Sequence, residues 1–295
     1  MEKVIECRNL THYYGEKLVY ENLNFSVEKG RIFGLLGKNG TGKTTTINIL
    51  NGYLEPTAGE CLIFGENSQH LSPQTKARIG FLMEGHIQHT YMNIYQIEKF
   101  YSAFYPNWKK EPYFELMSKL EITPDQKIST MSCGQRSQVA LGLILAQDPD
   151  LMILDDYSMG LDPGYRRLFI DYLTEYAKSA NKTIFVTSHI IQDMEQLIDD
   201  VMIMDYRSIL VSMPMNEFLK SFKKFRIMAE KPLPAPARDG VIKNYEQLKN
   251  KLFVYSFEEA NRVREHLHEL GYPVENFEQI PMTLEDAFIG LTGKY

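Results

Sequence analysis

Over residues 1–36 apolar and polar positions alternate, and VIEC, LNFSV and RIFGLL have the two-residue period of short strands. The run IFGLL breaks at Gly37 into a glycine-rich turn, and KTTTINILNGY predicts a helix from about Lys43. GECLIFG (59–65) and RIGFLME (78–84) are further strand candidates. Residues 91–120 change character. Tyr91, Tyr95, Phe100, Tyr101, Phe104, Tyr105, Trp108, Tyr113 and Phe114 fall at helical spacing with few glycines, so an all-helical insert is expected to about residue 147. LMILD (151–155) and TIFVTSH (183–189) are short, apolar and β-branched, which suits buried parallel strands. The amphipathic helix RRLFIDYLTEYAKSA lies between them, and strand–helix–strand implies a parallel sheet with crossover helices.

After VMIMDYRSIL that rhythm ends. KPLPAPARDG (231–240), with three prolines in ten residues, predicts a loop or linker. A strand (LFVYSF), a helix (EEANRVREHLHELG) and a helical tail (TLEDAFIGLTG) follow. The expected organisation is a main domain over 1–215, with its helical part at about 86–149, and a small α+β appendage over 216–295.

Composition narrows the possibilities. The net charge of −6 argues against a general nucleic-acid binder, but leaves room for a local phosphate site built from backbone N–H groups. The longest apolar run, VALGLILA (139–146), is far short of a membrane span, and MEKVIECRNL does not read as a secretory signal. Cys7, Cys61 and Cys133 are odd in number and widely spaced, which predicts reduced thiols in a cytosolic protein. His86, His89, His266 and His268 match no carboxylate or cysteine constellation and are expected at the surface rather than on a metal.

The sharpest local chemistry is GKNGTGKTT (37–45), which follows an apolar strand and opens a helix. Gly37, Gly42, Lys43 and Thr44 meet the G-x-x-x-x-G-K-[ST] pattern. The glycines let the loop from Lys38 through Asn39, Gly40 and Thr41 turn its N–H groups inward around phosphate oxygens. The helix N-terminus and Lys43 add positive charge, and the Thr44 hydroxyl, followed by Thr45, is a Mg²⁺ ligand. A nucleoside triphosphate is the implied ligand. Asp155 and Asp156 end a buried strand side by side, and mutual repulsion makes such a pair costly without a cation. Asp155 sits where P-loop enzymes place the carboxylate that holds Mg²⁺, and Asp156 points differently and could orient a water.

MSCGQRSQVALGLILAQDPDLMILDD (131–156) adds a second constellation, and the chain here resembles the ATP-binding subunits of ABC transporters. The resemblance covers about residues 1–215. Met131-Ser132-Cys133-Gly134-Gln135 matches the L-S-G-G-Q signature, the two aspartates the D-E pair, and MGLDP (159–163) the D-loop with Asp162 as its aspartate. His189 matches the switch histidine, Tyr14 the adenine-stacking aromatic, and Glu84 the Q-loop position, where it would serve catalysis and the metal. The resemblance implies a P-loop NTPase fold of α/β class with a mixed sheet, a helical insert subdomain and the C-terminal α+β appendage. It also implies ATP and Mg²⁺ as cofactors, and a head-to-tail pair in which Ser132, Gly134 and Gln135 of one ATPase subunit close on ATP held by the other, as a homodimer or heterodimer. A separate integral membrane subunit would form the translocation path, with this chain peripheral on the cytoplasmic face and no nucleic acid involved. FYPNW (104–108) and the tail resemble bacterial export-type ATPases.

Four positions depart from the family pattern. Asp156 stands for Glu, and one methylene less draws the carboxylate back by roughly 1.5 Å. A displacement of ~1 Å costs ~10²-fold in rate, so slow hydrolysis is expected unless the backbone compensates. Cys133 stands for Gly and is expected as a small packed residue, Glu84 stands for Gln, and Tyr157 for Pro with no derivable consequence. The reading is an export-driving ATPase subunit. Its alternatives are a soluble ABC ATPase outside transport, or a weakly hydrolysing regulatory module.

Overall fold

The computed structural model describes residues 2–83, 89–120, 122–158 and 160–293. The chain forms two compact units, one up to Ile209 and one from Leu210 on.

In the first unit, β1 (Lys3–Tyr14) and β2 (Lys17–Glu28) pair antiparallel around a two-residue turn, and β3 (Ile32–Gly37) leads into α1 (Lys43–Leu50). β4 (Ala58–Ile63), β5 (Glu66–Asn67), the single turn α2 (Pro73–Lys76) and β6 (Ile79–Leu82) follow. α3 (Ile94–Ser102), α4 (Lys110–Met117) and α5 (Cys133–Ala146) form the helical part, joined by irregular segments rather than continuous helix. The chain then passes through β7 (Leu151–Leu154), α6 (Pro163–Ala180), β8 (Thr183–Thr187), α7 (Ile191–Leu197) and β9 (Asp200–Asp205).

Two sheets result. β2-β1-β4-β5 is antiparallel, and β9-β3-β8-β7-β6 runs parallel throughout. Every residue of β7 and β8 is buried, as a parallel strand covered on both faces requires. Phe25, Phe33 and Phe185 stack between the sheets with centroids 5.8–6.1 Å apart, tying the hairpin to the parallel core. This topology brings the C-terminal ends of β3, β7 and β8 side by side, where open α/β sheets gather their ligand sites.

β10 (Ser208–Pro214) carries the chain into the second unit, which contains α8 (Met215–Ser221), β11 (Lys223–Met228), β12 (Asn244–Leu248), β13 (Lys251–Ser256), α9 (Ala260–Glu269), β14 (Glu278–Ile280) and α10 (Leu284–Thr292). Its antiparallel sheet has the order β12-β13-β11-β14, with Val263 and Leu267 of α9 packed into the core against Phe225, Ile227, Leu252 and Val254. The proline-rich segment 231–240 holds no helix or strand. His266 departs from its expected surface setting: its Nε2 is 2.7 Å from Asp239 Oδ2, and it is mostly buried. Asp239 also accepts from the N–H groups of Val241 and Ile242, so the pair closes that loop. His89 lies edge-on to Phe100 at 4.7 Å within the aromatic helical part, and His86 is outside the described residues. No helix among the described residues is long and apolar enough to cross a membrane.

Candidate functional site

At the ends of β3, β7 and β8 lies a pocket of about 250 Å³. From the phosphate loop it is lined by Asn39, Gly40, Gly42, Lys43, Thr44 and Thr45. Gly42 is the residue before α1, at φ 102° and with no side-chain cap, so the helix end is left to whatever enters the pocket. A Cβ at Gly42 would come within 2.7 Å of the Tyr20 ring and 2.8 Å of Val19, so only glycine fits. Gly37, Lys38 and Thr41 stand behind the loop rather than on the pocket wall. The carbonyls of Gly37 and Lys38 accept from Lys43 Nζ at 2.7 and 3.2 Å, and Lys38 O also accepts from Thr41 Oγ1 at 2.8 Å. Burial lowers the pKa of Lys43, and the charges of Asp156 and Asp155 oppose that shift.

Asp155, Asp156 and His189 line the same pocket. A residue to which the sequence reading gave no role, Thr187 at the end of β8, links the Asp155 carboxylate to the main chain of Asp156. Its hydroxyl donates to Asp155 Oδ1 at 2.8 Å and accepts from the N–H of Asp156 at 3.0 Å. Asp156 is buried at φ 45°, in the left-handed region, which turns it away from Asp155. Its Oδ1 accepts from the N–H of His189 at 3.1 Å. His189 Nε2 lies 3.2 Å from Oδ2 at an angle that makes no well-formed hydrogen bond, which leaves Oδ2 a buried oxygen without a donor. Ser188, buried beside Thr187, shares a hydrogen bond of 2.8 Å with Ser158 and adds to the lining.

Tyr14, rather than Tyr13, lines the pocket; it is half exposed, and its hydroxyl is 3.3 Å from Thr45 Oγ1. Beneath it, His12 meets the Tyr14 ring edge-on at 4.8 Å. Both ring nitrogens of His12 are buried without partners, and burial lowers its pKa. Lys17 and Val19 also line the pocket; the pairing of Lys17 with Tyr14 across the β1–β2 turn was the available signal, but it requires the hairpin register.

The second constellation lies elsewhere. Ser132, Gly134, Gln135 and Asp162 line no part of this pocket. Ser132 caps α5: its hydroxyl accepts from the N–H of Gln135 at 3.2 Å, while Gln135 Oε1 accepts from the N–H of Ser132 at 2.9 Å. A Cβ at Gly134 would lie 2.4 Å from the Tyr165 ring, so glycine lets α6 approach. Asp162 is exposed at the start of α6 and makes no side-chain cap. Cys133 is exposed, not packed as expected. Tyr157 is buried and stacks on Phe169 with centroids 5.9 Å apart, so it fills core beneath α6. Glu84 lies outside the described residues.

These features coincide with the comparisons. Residues 20–158 match the family model described as ABC transporter. Bacitracin transport ATP-binding protein BcrA of Bacillus licheniformis is 30% identical, spanning 99% of this chain and 98% of that protein. The chain belongs to the ABC transporter ATP-binding subunits. Nod factor export ATP-binding protein I of Burkholderia orbicola is 31% identical over 98% of this chain and 97% of its own. A solved structure described as an ATP binding subunit of an ABC transporter has a TM-score of 0.65 at 21% identity, covering 74% of this chain and 92% of that one. That likeness shows the P-loop ATPase fold. This ABC subunit, of export type, binds ATP and is an ATPase.

Magnesium fits the donor set. Thr44 and Asp155 offer hard oxygens, and Asp156 Oδ2 is an unsatisfied buried oxygen nearby. No group of three His, Cys, Asp or Glu among the described residues could hold a metal ion. Mg²⁺ suits such a site, because it takes one or two protein oxygens and completes its shell with phosphate and water.

Proposed function

We propose that this ABC subunit binds ATP with Mg²⁺ between Tyr14 and His189 and hydrolyses it when a second ATPase subunit closes over the phosphates. The closure drives export through a separate integral membrane partner, with this chain peripheral on the cytoplasmic face. The observation that carries the reading is the division of the motifs: phosphate loop, both aspartates and His189 share one pocket, and the signature end of α5 lies outside it.

Tyr14 offers its exposed ring to the adenine. The amides of the loop and the end of α1 receive the phosphate oxygens, with Lys43 as the point charge. Thr44 and Asp155 would hold Mg²⁺, which when bound neutralises charge on the phosphates. Asp156 holds the attacking water through Oδ2 and takes its proton, while His189 contacts the γ-phosphate and keeps Oδ1 in place through its N–H. Glu84 supports the metal's water shell by resemblance alone. Ser132, Gly134 and Gln135 seal the γ-phosphate of the facing subunit, with Asp162 beside them. Hydrolysis is slow because the Asp156 carboxylate is short. Residues from 216 on act as an accessory domain. The relatives are named for bacitracin transport and Nod factor export, and their whole-length likeness supports the membrane-partner arrangement.

The test is phosphate release by the purified chain, alone and with its membrane partner, beside Lys43→Ala and Asp156→Asn. Slow turnover, absent in both variants, is expected. Asp156→Asn with ATP should sediment as a pair, and adding Ser132→Arg should dissolve it. Turnover equal to that of Lys43→Ala would overturn the enzyme reading; a pair unaffected by Ser132→Arg would overturn the composite site.

A further inference from the structure

The antiparallel sheet contains two cysteines that no step of the ATP chemistry uses. The β1–β4 register sets Cys7 directly opposite Cys61, and both are buried. Their sulfurs are 2.6 Å apart. Directly opposed residues of an antiparallel pair hold their Cβ atoms about 4.5–5.5 Å apart, and a disulfide needs about 3.5–4.5 Å. A small adjustment of two strands already bonded to each other therefore suffices. The pair also shares its core cluster with a residue that backs the phosphate loop. Tyr20, fully buried in the same core cluster, packs its ring against Gly42, and its hydroxyl is 3.3 Å from Thr46 Oγ1.

We propose that Cys7 and Cys61 form a redox site, a dithiol that closes reversibly to a cross-strand disulfide stapling β1, the strand that carries Tyr14, to β4. The oxidant is a small-molecule disulfide. The thiolate of one cysteine attacks it, forming a mixed disulfide and releasing one small thiol. The second cysteine's thiolate attacks the protein sulfur of that mixed disulfide, the Cys7–Cys61 bond forms, and a second small thiol leaves. The two cysteine protons end on the two released thiols, and the electron pair passes to the oxidant. Burial pushes the Cys7 thiol up, and its contact with Cys61 adds to the shift. Thiolate is scarce and the oxidant must reach between strands, so closure is slow and accelerates with rising pH. On the β4 side the sheet is bordered only by the two-residue edge strand β5. Cys133, exposed at the start of α5, is the internal comparison: it takes up a mixed disulfide and goes no further.

The experiment incubates the full chain in native buffer with oxidised glutathione, alkylates the remaining thiols after denaturation, and maps the peptides. The expected product joins the Cys7 peptide to the Cys61 peptide with loss of two hydrogens, carries glutathione on Cys133, and reverts with dithiothreitol. Oxidation raises the thermal midpoint by roughly 5–10 °C, since the bond closes a long loop. Cys61→Ala and Cys133→Ser separate the sites: the first abolishes the rise and the second leaves it. The wild-type map alone decides the matter if a variant fails to fold. Cys7 and Cys61 both alkylated at equilibrium, glutathione retained on either, or a product that pairs Cys133 would each overturn the proposal.

Discussion

Two helix N-termini of this ABC subunit are finished in opposite ways. α1 follows Gly42 and has no side-chain cap, so its end is completed by what enters the pocket. α5 follows Ser132 and is closed on itself by the reciprocal bonds with Gln135. An uncapped end is a standing site. A self-capped end engages two of its own N–H groups, here those of Ser132 and Gln135, and leaves those of Cys133 and Gly134 outside the cap. In the proposed function the first end is the site of the single chain, and the second is the one offered to a facing subunit.

The largest effect that sharpens this contrast is at Lys43. Lys43→Ala removes the cation from the open end, and phosphate release should fall by at least ~100-fold. Gly42→Ala comes next. Its Cβ would be 2.7 Å from the Tyr20 ring at a left-handed backbone, so urea denaturation should show a loss of about 1–3 kcal/mol, together with weaker nucleotide binding. Ser132→Ala removes only one cap, and about 1 kcal/mol should be lost in the same measurement while the single chain binds ATP unchanged. A Ser132→Ala loss exceeding that of Gly42→Ala would break the comparison.

The smallest effect is one of pH, at His12 beneath the pocket-lining Tyr14. Burial keeps the pKa of His12, under Tyr14, below its ordinary value of 6.5. The unfolded chain therefore binds the proton more readily, and stability is full above about pH 6.5 and lost as pH falls towards the folded pKa. Denaturation of wild type at pH 7 and pH 5.5 should show this decline, and His12→Phe should flatten it.

What the sequence made legible was what local chemistry dictates. The apolar runs that became β3, β7 and β8 could be read because a strand covered on both faces needs no polar alternation. The phosphate loop could be read because few residue types let a backbone encircle phosphate. What could not be read depended on register. Thr187 lies 32 residues from Asp155 in sequence, and only the parallel pairing of β7 with β8 makes it the link between the two aspartates. Likewise Cys7 and Cys61, 54 residues apart, looked unrelated until β1 and β4 were aligned. His266 seemed to lack a carboxylate because Asp239 reaches it across the loop from β11 to β12. The hairpin of β1 and β2 ran longer than its short apolar runs suggested, since several register shifts interrupt the alternation.

The curl of the main chain at Asp156, φ 45°, bears on which acid can stand there. Aspartate and asparagine enter that conformation far more readily than longer side chains, and holding it with another residue costs roughly 1–2 kcal/mol. The shorter acid and the bent backbone are thus matched. Glutamate at this position would carry that cost unless the bend relaxed with it.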